Sequence, residues 1–427
     1  MHYIRLMRPP SLDGKKNLKV VLTITTDLGD SFLNPDEPLP ISVWLTKWPQ
    51  AGADICLTPR KNGKTKVFWR TGMRVLKLEL PVPDIILQVL GKTPRSTADP
   101  IPIIHIDASH SLRLTPKAEN IPFDQEGRVL AVQAGFPRPT DNEPTFEASR
   151  EFALPGEGCL RVCEEIGESI DRHVWDAGVV TMGILLKICQ NGSPDHYWDR
   201  TPLLTQLLCS VAPEHPLNVI ELGCGVGILG LGLAAALYRR SPSLGNSEEP
   251  SQVPSNILLT DLPAAEQIAV KNIASERQAR EHKPHGKPNV RTNFEILDWE
   301  DGKTGKLGPQ TKARSWDLII ISDCTYNVDM LSALVGCISA LHKLSTDLGQ
   351  KSPKVMLATK PRHSSEKALF GLMEGDGWKI LEHASQPLPV LGLDNESVEL
   401  YLFGKDASPL QEPEESTSSR SKRRKLR

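Results

Sequence analysis

Strands and helices alternate over residues 160–404 and end in two strands with no helix between them, which predicts an α/β protein whose mainly parallel sheet closes in an antiparallel hairpin. Two further observations support this class. The apolar runs at 219–221, 257–260 and 316–322 are continuous rather than alternating, as expected of strands covered on both faces. The first 150 residues instead carry short β-branched or alternating runs broken by Pro, Gly and Asp, which predicts a separate β-rich unit.

In chain order, the N-terminal runs are 18–25 (L-K-V-V-L-T-I-T), 41–46, 66–70 and 73–80. Residues 91–150 are rich in Pro, Asp and Ser around one apolar patch at 101–106. Apolar helices are expected at 177–190 and 203–211, strand one at 219–221 with a helix over 227–238, and strand two at 257–260 with a helix over 264–276. Strand three falls at 292–297 and strand four at 316–322. Leu331, Leu334, Val335, Ile338 and Leu341 then recur at helical spacing within 330–344. Strand five is 354–359, followed by a helix over 364–374 closed by Gly375, Asp376 and Gly377, and the last two strands are 378–382 and 398–403. The polar stretches 239–256 and 301–315 read as surface insertions. The expected division is therefore 1–150, a β-rich region of unknown role; 151–405, the α/β domain; and 406–427, a disordered tail. That tail ends in a basic run, Lys422, Arg423, Arg424 and Lys425, which is either a nuclear-targeting signal or a solvated end.

The 427 residues exceed one typical domain, with 39% hydrophobic, 24% charged and a formal net charge of −2. Global charge gives no footprint for nucleic acid. No apolar run approaches 18 residues and the N-terminus lacks the apolar core of a signal peptide, so an intracellular, non-membrane protein, cytoplasmic or nuclear, is expected. The eight cysteines are scattered and only Cys159 and Cys163 lie close together, without a second pair at zinc spacing. Reduced thiols and no metal site are expected.

The segment 218–230, N-V-I-E-L-G-C-G-V-G-I-L-G, points most directly to a ligand. An apolar strand ends in an acid, a glycine-rich turn follows, and then a helix begins, an arrangement that lets a backbone pass close to a nucleotide. Two frames fit. Gly225, Gly227 and Gly230 satisfy the dinucleotide pattern G-x-G-x-x-G, while Glu221, Gly223, Gly225 and Gly227 satisfy E-x-G-x-G-x-G. A carboxylate at the strand end repels pyrophosphate but suits a ligand with a cationic amino-acid head. Asp261, in L-L-T-D-L after strand two, lies 36 residues beyond Gly225, where an acid can accept ribose hydroxyls. Asp298 and Trp299 end strand three in L-D-W, and the ring can stack on a base or plug the sheet edge. Asp323 and Tyr326 follow strand four in S-D-C-T-Y, so the strand ends gather acids and aromatics at one rim. Upstream, H-V-W-D-A-G places Trp175 and Asp176 at a helix start, where Asp176 reads most simply as a first-turn acid.

Taken in this order, V-W-D-A, E-L-G-C-G-V-G, T-D-L, L-D-W and D-C-T-Y resemble the methyltransferase-like 21 group of the family-16 protein-lysine methyltransferases, over roughly residues 160–404. The resemblance implies a seven-strand, Rossmann-like S-adenosylmethionine-dependent sheet, which has the terminal antiparallel pair that the usual dinucleotide fold lacks. It implies that Trp175, Glu221, Gly223, Cys224, Gly225, Asp261, Leu262, Trp299 and Ser322 line the S-adenosylmethionine site, that Asp323 and Tyr326 face the acceptor amine, and that the partner is a protein bearing a target lysine. Two departures stand out: Ser322 occupies a position often held by Ala, and A-T-K-P-R-H after strand five follows the family pattern only loosely.

The chemistry of D-x-x-Y is consistent with an amine acceptor. In-line displacement on a sulfonium needs a neutral amine, and neutralising a free lysine at pH 7 costs roughly 4 to 5 kcal/mol. Asp323 can position the amine and take a proton through water, while the Tyr326 ring shields the alkyl stem and its hydroxyl orients the nitrogen. The N-P-P-Y sequence of related enzymes acting on planar amide or amidine nitrogen is absent. The rival readings are a methyltransferase for a small molecule or nucleic acid, a binding protein without turnover, and a dinucleotide oxidoreductase.

Overall fold

The computed structural model describes residues 1–14, 16–46, 54–90, 102–110, 113, 115–123, 129–137, 145–156, 158–167, 172–191, 201–209, 216–240, 254–281, 290–349, 352–388 and 396–405. Most of the expected insertion at 239–256 and the basic run Lys422–Lys425 lie outside them.

The α/β part is built on β1 (Asn218–Leu222), β2 (Ser255–Asp261), β3 (Val290–Ile296), β4 (Leu318–Ser322), β5 (Lys354–Thr359), β6 (Lys379–Leu388) and β7 (Glu396–Gly404). Their spatial order is β3-β2-β1-β4-β5-β7-β6. The first five strands are parallel, and β7 runs antiparallel to both β5 and β6. This is the expected sheet with its terminal hairpin. The chain order reverses beside β1 and β4, so the ends of those strands open the crevice in which ligands bind in such sheets.

Helices cover both faces. On one side pack α1 (Asp176–Asn191), α2 (Pro202–Cys209), α3 (Ile228–Arg240) and α4 (Pro263–Glu281), with Val180, Leu185, Leu231 and Ala235 fully buried against Val219, Ile257 and Ile320. On the other, α5 (Leu331–Asp347) and α6 (Ala368–Gly375) cover Ile220, Ile319 and Ile321. Residues Val328–Asp347 are apolar and long enough to cross a membrane, but Leu334, Ile338 and Leu341 are fully buried against the sheet, which makes this a core helix.

The stretch 301–315 is not the loose insertion expected from its polarity. It folds into two short helices, Trp299–Lys303 and Pro309–Lys312. The Glu295 carboxylate accepts from the Gln310 and Thr311 amides (2.7 and 2.9 Å) and the Thr311 hydroxyl (2.6 Å), satisfying the start of the second helix. Trp316 is buried over it and donates to Thr311 O at 3.1 Å.

The N-terminal unit is a pair of facing sheets. One has the order Leu76–Pro81, Asn17–Thr25, His2–Leu6, Val129–Leu130, with Ser11–Leu12 beside Asn17–Thr25. The other runs Cys159–Glu165, Glu147–Ala153, Val132–Gly135, Ile103–Asp107, Ser42–Thr46, Ile55–Cys56. Ile4, Leu22 and Ile24 from the first meet Val43, Leu45, Ile104 and Ile106 from the second in one apolar core. The division expected at residue 150 therefore falls inside a strand. Both Glu147–Ala153 and Cys159–Glu165 belong to the N-terminal sheet, because their alternating burial pairs them with each other and with Val132–Gly135. The two units also share a core: Tyr3, Leu130, Phe152, Leu160 and Val162 pack in the same cluster as α1 and α3.

Candidate active site

The carboxyl ends of β1 to β4 and the start of α1 enclose a cleft with roughly 1000 Å³ of empty space, mouth included. Trp175, Glu221, Gly223, Cys224, Gly225, Asp261, Leu262, Trp299, Ser322, Asp323 and Tyr326, the residues singled out in the sequence, all line it. His173, Gly178, Leu297, Asp298, Asn327 and Met330 join them.

On the β1–β3 side the geometry is local. Gly223, Gly225 and Gly227 all have positive φ, which turns the backbone sharply between β1 and α3. A Cβ on Gly223 would lie 2.6 Å from Cys324 Sγ and 3.1 Å from Trp299 Cζ2, so that position tolerates no side chain. Glu221 is buried beneath the turn and its Oε2 accepts from the Gly230 amide at 3.0 Å. A Cβ on Gly230 would collide with that same Oε2 and lie 2.9 Å from Leu259, which makes Gly230 a close-packing position in α3. Burial, with the neighbouring Asp261 charge, raises the Glu221 carboxyl from its ordinary 4.5 to about 8. Asp261 Oδ2 accepts from Gly225 N and Oδ1 from Leu262 N, both at 2.7 Å, while Asp298 caps the helix of Trp299 by accepting from Glu300 N at 2.9 Å.

The loop is also pinned from the N-terminal unit. Asn272 of α4 is fully buried; its Nδ2 donates to Val226 O (2.9 Å) and Cys163 O (3.0 Å), and its Oδ1 accepts from Cys163 N (2.7 Å). One side chain thus serves the edge strand Cys159–Glu165 as a pairing partner and fixes the glycine turn.

On the β4 side the geometry is long-range. Asp323 stands at φ +50, a left-handed conformation uncommon outside glycine, and is almost fully buried. Its Oδ2 accepts from Ala177 N (3.0 Å), and its Oδ1 from Lys360 N (3.1 Å) and the Arg362 guanidinium (2.9 Å). Burial pushes its carboxyl up and Arg362 pulls it partly back. Asp323 is therefore a carboxylate anchored on three donors rather than a freely rotating one. Tyr326 is 57% exposed at the mouth. Ser322 Oγ is buried without a partner beside the cleft.

Beneath Asp323 lies a cluster of charges that sequence reasoning passed over. Asp176 is fully buried and accepts from the Tyr3 hydroxyl (2.6 Å), Lys360 Nζ (2.9 Å) and the Met1 amino group (2.8 Å). Burial would raise its carboxyl, but the Met1 ammonium and Lys360 overcome this and hold it well below the usual range. Lys360 also meets Asp27 (3.0 Å) and Glu396 (2.6 Å). Burial alone would lower its ammonium, and Asp176 and Asp27 raise it instead. The plain helix-start reading of Asp176 thus misses its tertiary role. Lys360 and Arg362 belong to the A-T-K-P-R-H segment, whose loose fit to the family pattern was the only sequence signal of this cluster.

Residues 156–376, just over half of the chain, match the sequence profile of the lysine methyltransferase family. The chain belongs to that family. A protein of the UPF0665 family from Schizosaccharomyces pombe is 28% identical over 383 residues, covering 88% of this chain and 93% of that relative. A match of that length takes in much of the N-terminal unit. Among solved structures, an S-adenosylmethionine-dependent methyltransferase from Methanosarcina mazei aligns at 12% identity over 48% of this chain and 97% of its own, with a TM-score of 0.30. An O-methyltransferase family protein from Burkholderia thailandensis aligns at 13% identity over 55% and 61%, with a TM-score of 0.28.

The methyltransferase uses S-adenosylmethionine. Its cleft fits that cofactor: a glycine-rich turn, a buried acid under it, an indole beside Gly223 and an unpartnered hydroxyl at Ser322 surround enough space for a nucleoside carrying an amino acid.

Proposed function

We propose that this methyltransferase modifies lysine side chains of a protein substrate. The observation that carries this reading is the anchored Asp323 carboxylate lining the cleft at the exposed Tyr326. A carboxylate has about four lone-pair sites. Three are taken by Ala177 N, Lys360 N and Arg362, which leaves one on Oδ2 for an acceptor nitrogen.

S-adenosylmethionine, when bound, supplies an electrophilic methyl group on a sulfonium. Under this proposal Glu221 and the glycine turn with Cys224 hold its amino-acid end, Asp261 and Leu262 the ribose, and Trp299 the base, with Trp175 and Ser322 facing the centre of the cleft. Asp323 orients the amine, and its fixed negative charge favours entry of a cationic side chain. Loss of the proton to water then exposes the nitrogen lone pair. Tyr326 covers the alkyl stem and limits water at the nitrogen. Fixing the nitrogen in line supplies much of the rate. The family's description as lysine methyltransferases favours the same acceptor.

The test is transfer of tritium from labelled S-adenosylmethionine into an extract of cells lacking this gene, followed by hydrolysis and amino-acid analysis. Label in methyl-lysine is expected. Label confined to nucleic acid, to small molecules or to other residues would overturn the reading.

A further inference from the structure

Asp27 lies on a tight turn at the end of the N-terminal strand Asn17–Thr25, remote in sequence from every motif of the cleft. Thr26 N donates to Ser31 O (3.0 Å), the Thr26 hydroxyl to Asp30 (2.7 Å), and Arg5 to the Asp27 carbonyl (2.6 Å), so the turn is held rigidly. The Asp27 side chain is wholly buried. Its Oδ1 accepts from Leu28 N and Lys360 Nζ, both at 3.0 Å, and its Oδ2 from Asp176 N at 3.2 Å and Arg362 at 2.6 Å.

Arg362 is the bridge. One arm of its guanidinium holds Asp27 and the other holds Asp323 Oδ1 at 2.9 Å, while its Cζ lies 5.2 Å from the ring centroid of Trp175. A planar fork gripping two carboxylates transmits position far better than a point charge. Burial would weaken the charge on Arg362, and Asp323 and Asp27 together strengthen it. A buried ionic chain of this kind adds little net stability over apolar packing; what it provides is a single arrangement.

We propose that Asp27 is a positioning residue for methyl transfer: through Arg362 it fixes the Asp323 carboxylate, and through Lys360 and the Asp176 amide it fixes the start of α1. The N-terminal β-rich unit thereby completes the acceptor half of the active site. The inference rests on the transfer chemistry proposed above for Asp323. Asp323 holds a left-handed backbone that costs on the order of 1–3 kcal/mol, and such a residue keeps its place only while its surroundings hold it.

The full-length Asp27→Asn variant tests this in two ways. Hydrogen exchange at the Ala177 and Lys360 amides, both of which donate to Asp323, is expected to rise about tenfold or more, and above any rise in the rest of the sheet. The rate of label transfer from S-adenosylmethionine into the same cell extract is expected to fall at least about tenfold, with affinity for S-adenosylhomocysteine and the KM for S-adenosylmethionine unchanged. Unchanged exchange at those two amides would overturn the proposal, as would a folded variant that transfers label at the wild-type rate and has only a lower melting temperature. If the wild-type protein labels no lysine, the proposed function fails, and amide exchange still decides the role of Asp27. Should Asp27→Asn not fold, Arg362→Lys keeps the charge but cannot span both carboxylates. It is expected to retain S-adenosylhomocysteine binding with at least about a tenfold loss of rate, and a wild-type rate would contradict the inference.

Discussion

The two halves of the cleft are built differently. On the β1–β3 side each functional residue sits at the end of a strand or in the turn that follows, and it bonds to a nearby turn or its own helix: Glu221 to Gly230, Asp261 to Leu262 and Gly225, Asp298 to Glu300. On the β4 side Asp323 depends on Ala177, Lys360 and Arg362, and these in turn depend on Asp27 and Asp176. The β1–β3 side is a local device that can be written as a motif. The β4 side is a tertiary one, assembled from both units; under the proposed function it is the acceptor side, where specificity for an acceptor can be set without disturbing the cofactor.

The contrast gives four predictions, from the largest effect to the smallest. Asp323→Ala leaves two amides and a guanidinium in the interior without their acceptor. It is expected to cost about 3–5 kcal/mol by denaturant titration and to lower transfer by more than about 100-fold. If a folded Asp323→Ala protein also lost S-adenosylhomocysteine binding, the two halves would not be separable. Gly230→Ala drives a methyl into Glu221 Oε2, so a loss of roughly 1–3 kcal/mol in stability is expected, together with weaker S-adenosylhomocysteine binding by calorimetry.

Trp299→Ala is expected to weaken S-adenosylhomocysteine by about tenfold, roughly 1.4 kcal/mol, while the rate at saturating S-adenosylmethionine holds; a fall in that rate instead would place Trp299 on the acceptor side. The smallest effect concerns pH. The Glu221 carboxyl titrates near 8 in the folded protein and near 4.5 ordinarily, so between these values the folded state holds a proton that the unfolded chain has lost. Stability from this group therefore falls as pH rises from 4.5 through 8. Glu221→Gln is expected to melt above wild type at pH 8 and to lose that advantage towards pH 5. A cationic ligand head beside Glu221 releases the proton, so S-adenosylhomocysteine binding at pH 7 should release up to about one proton in wild type and none from this site in the variant.

What could be read from the sequence follows the same divide. Strands β1, β2, β4 and β5 announce themselves as apolar runs, and the terminal hairpin as two strands without a helix, because burial on both faces leaves a continuous signature. Glu221, Asp261, Trp299 and Asp323 are legible as candidates because each ends or follows a recognisable strand. Asp27 carries no such mark: an acid in the turn T-D-L-G-D looks like any solvated turn acid until the fold buries it. The boundary expected at 150 falls inside a strand for a related reason. Pairing between Glu147–Ala153 and Cys159–Glu165 joins that hairpin to the N-terminal sheet, and pairing is not written in composition. The stretch 301–315 looked like an insertion because its helices are short and polar, and it is ordered by one distant carboxylate, Glu295.

The most direct test of the account compares wild type with Asp323→Asn on the same tritium-labelled extract, with S-adenosylhomocysteine affinity measured alongside. The account predicts methyl-lysine from wild type and at least about 100-fold less from Asp323→Asn at equal affinity for S-adenosylhomocysteine. Label in something other than lysine, or equal methyl-lysine from both proteins, would contradict it.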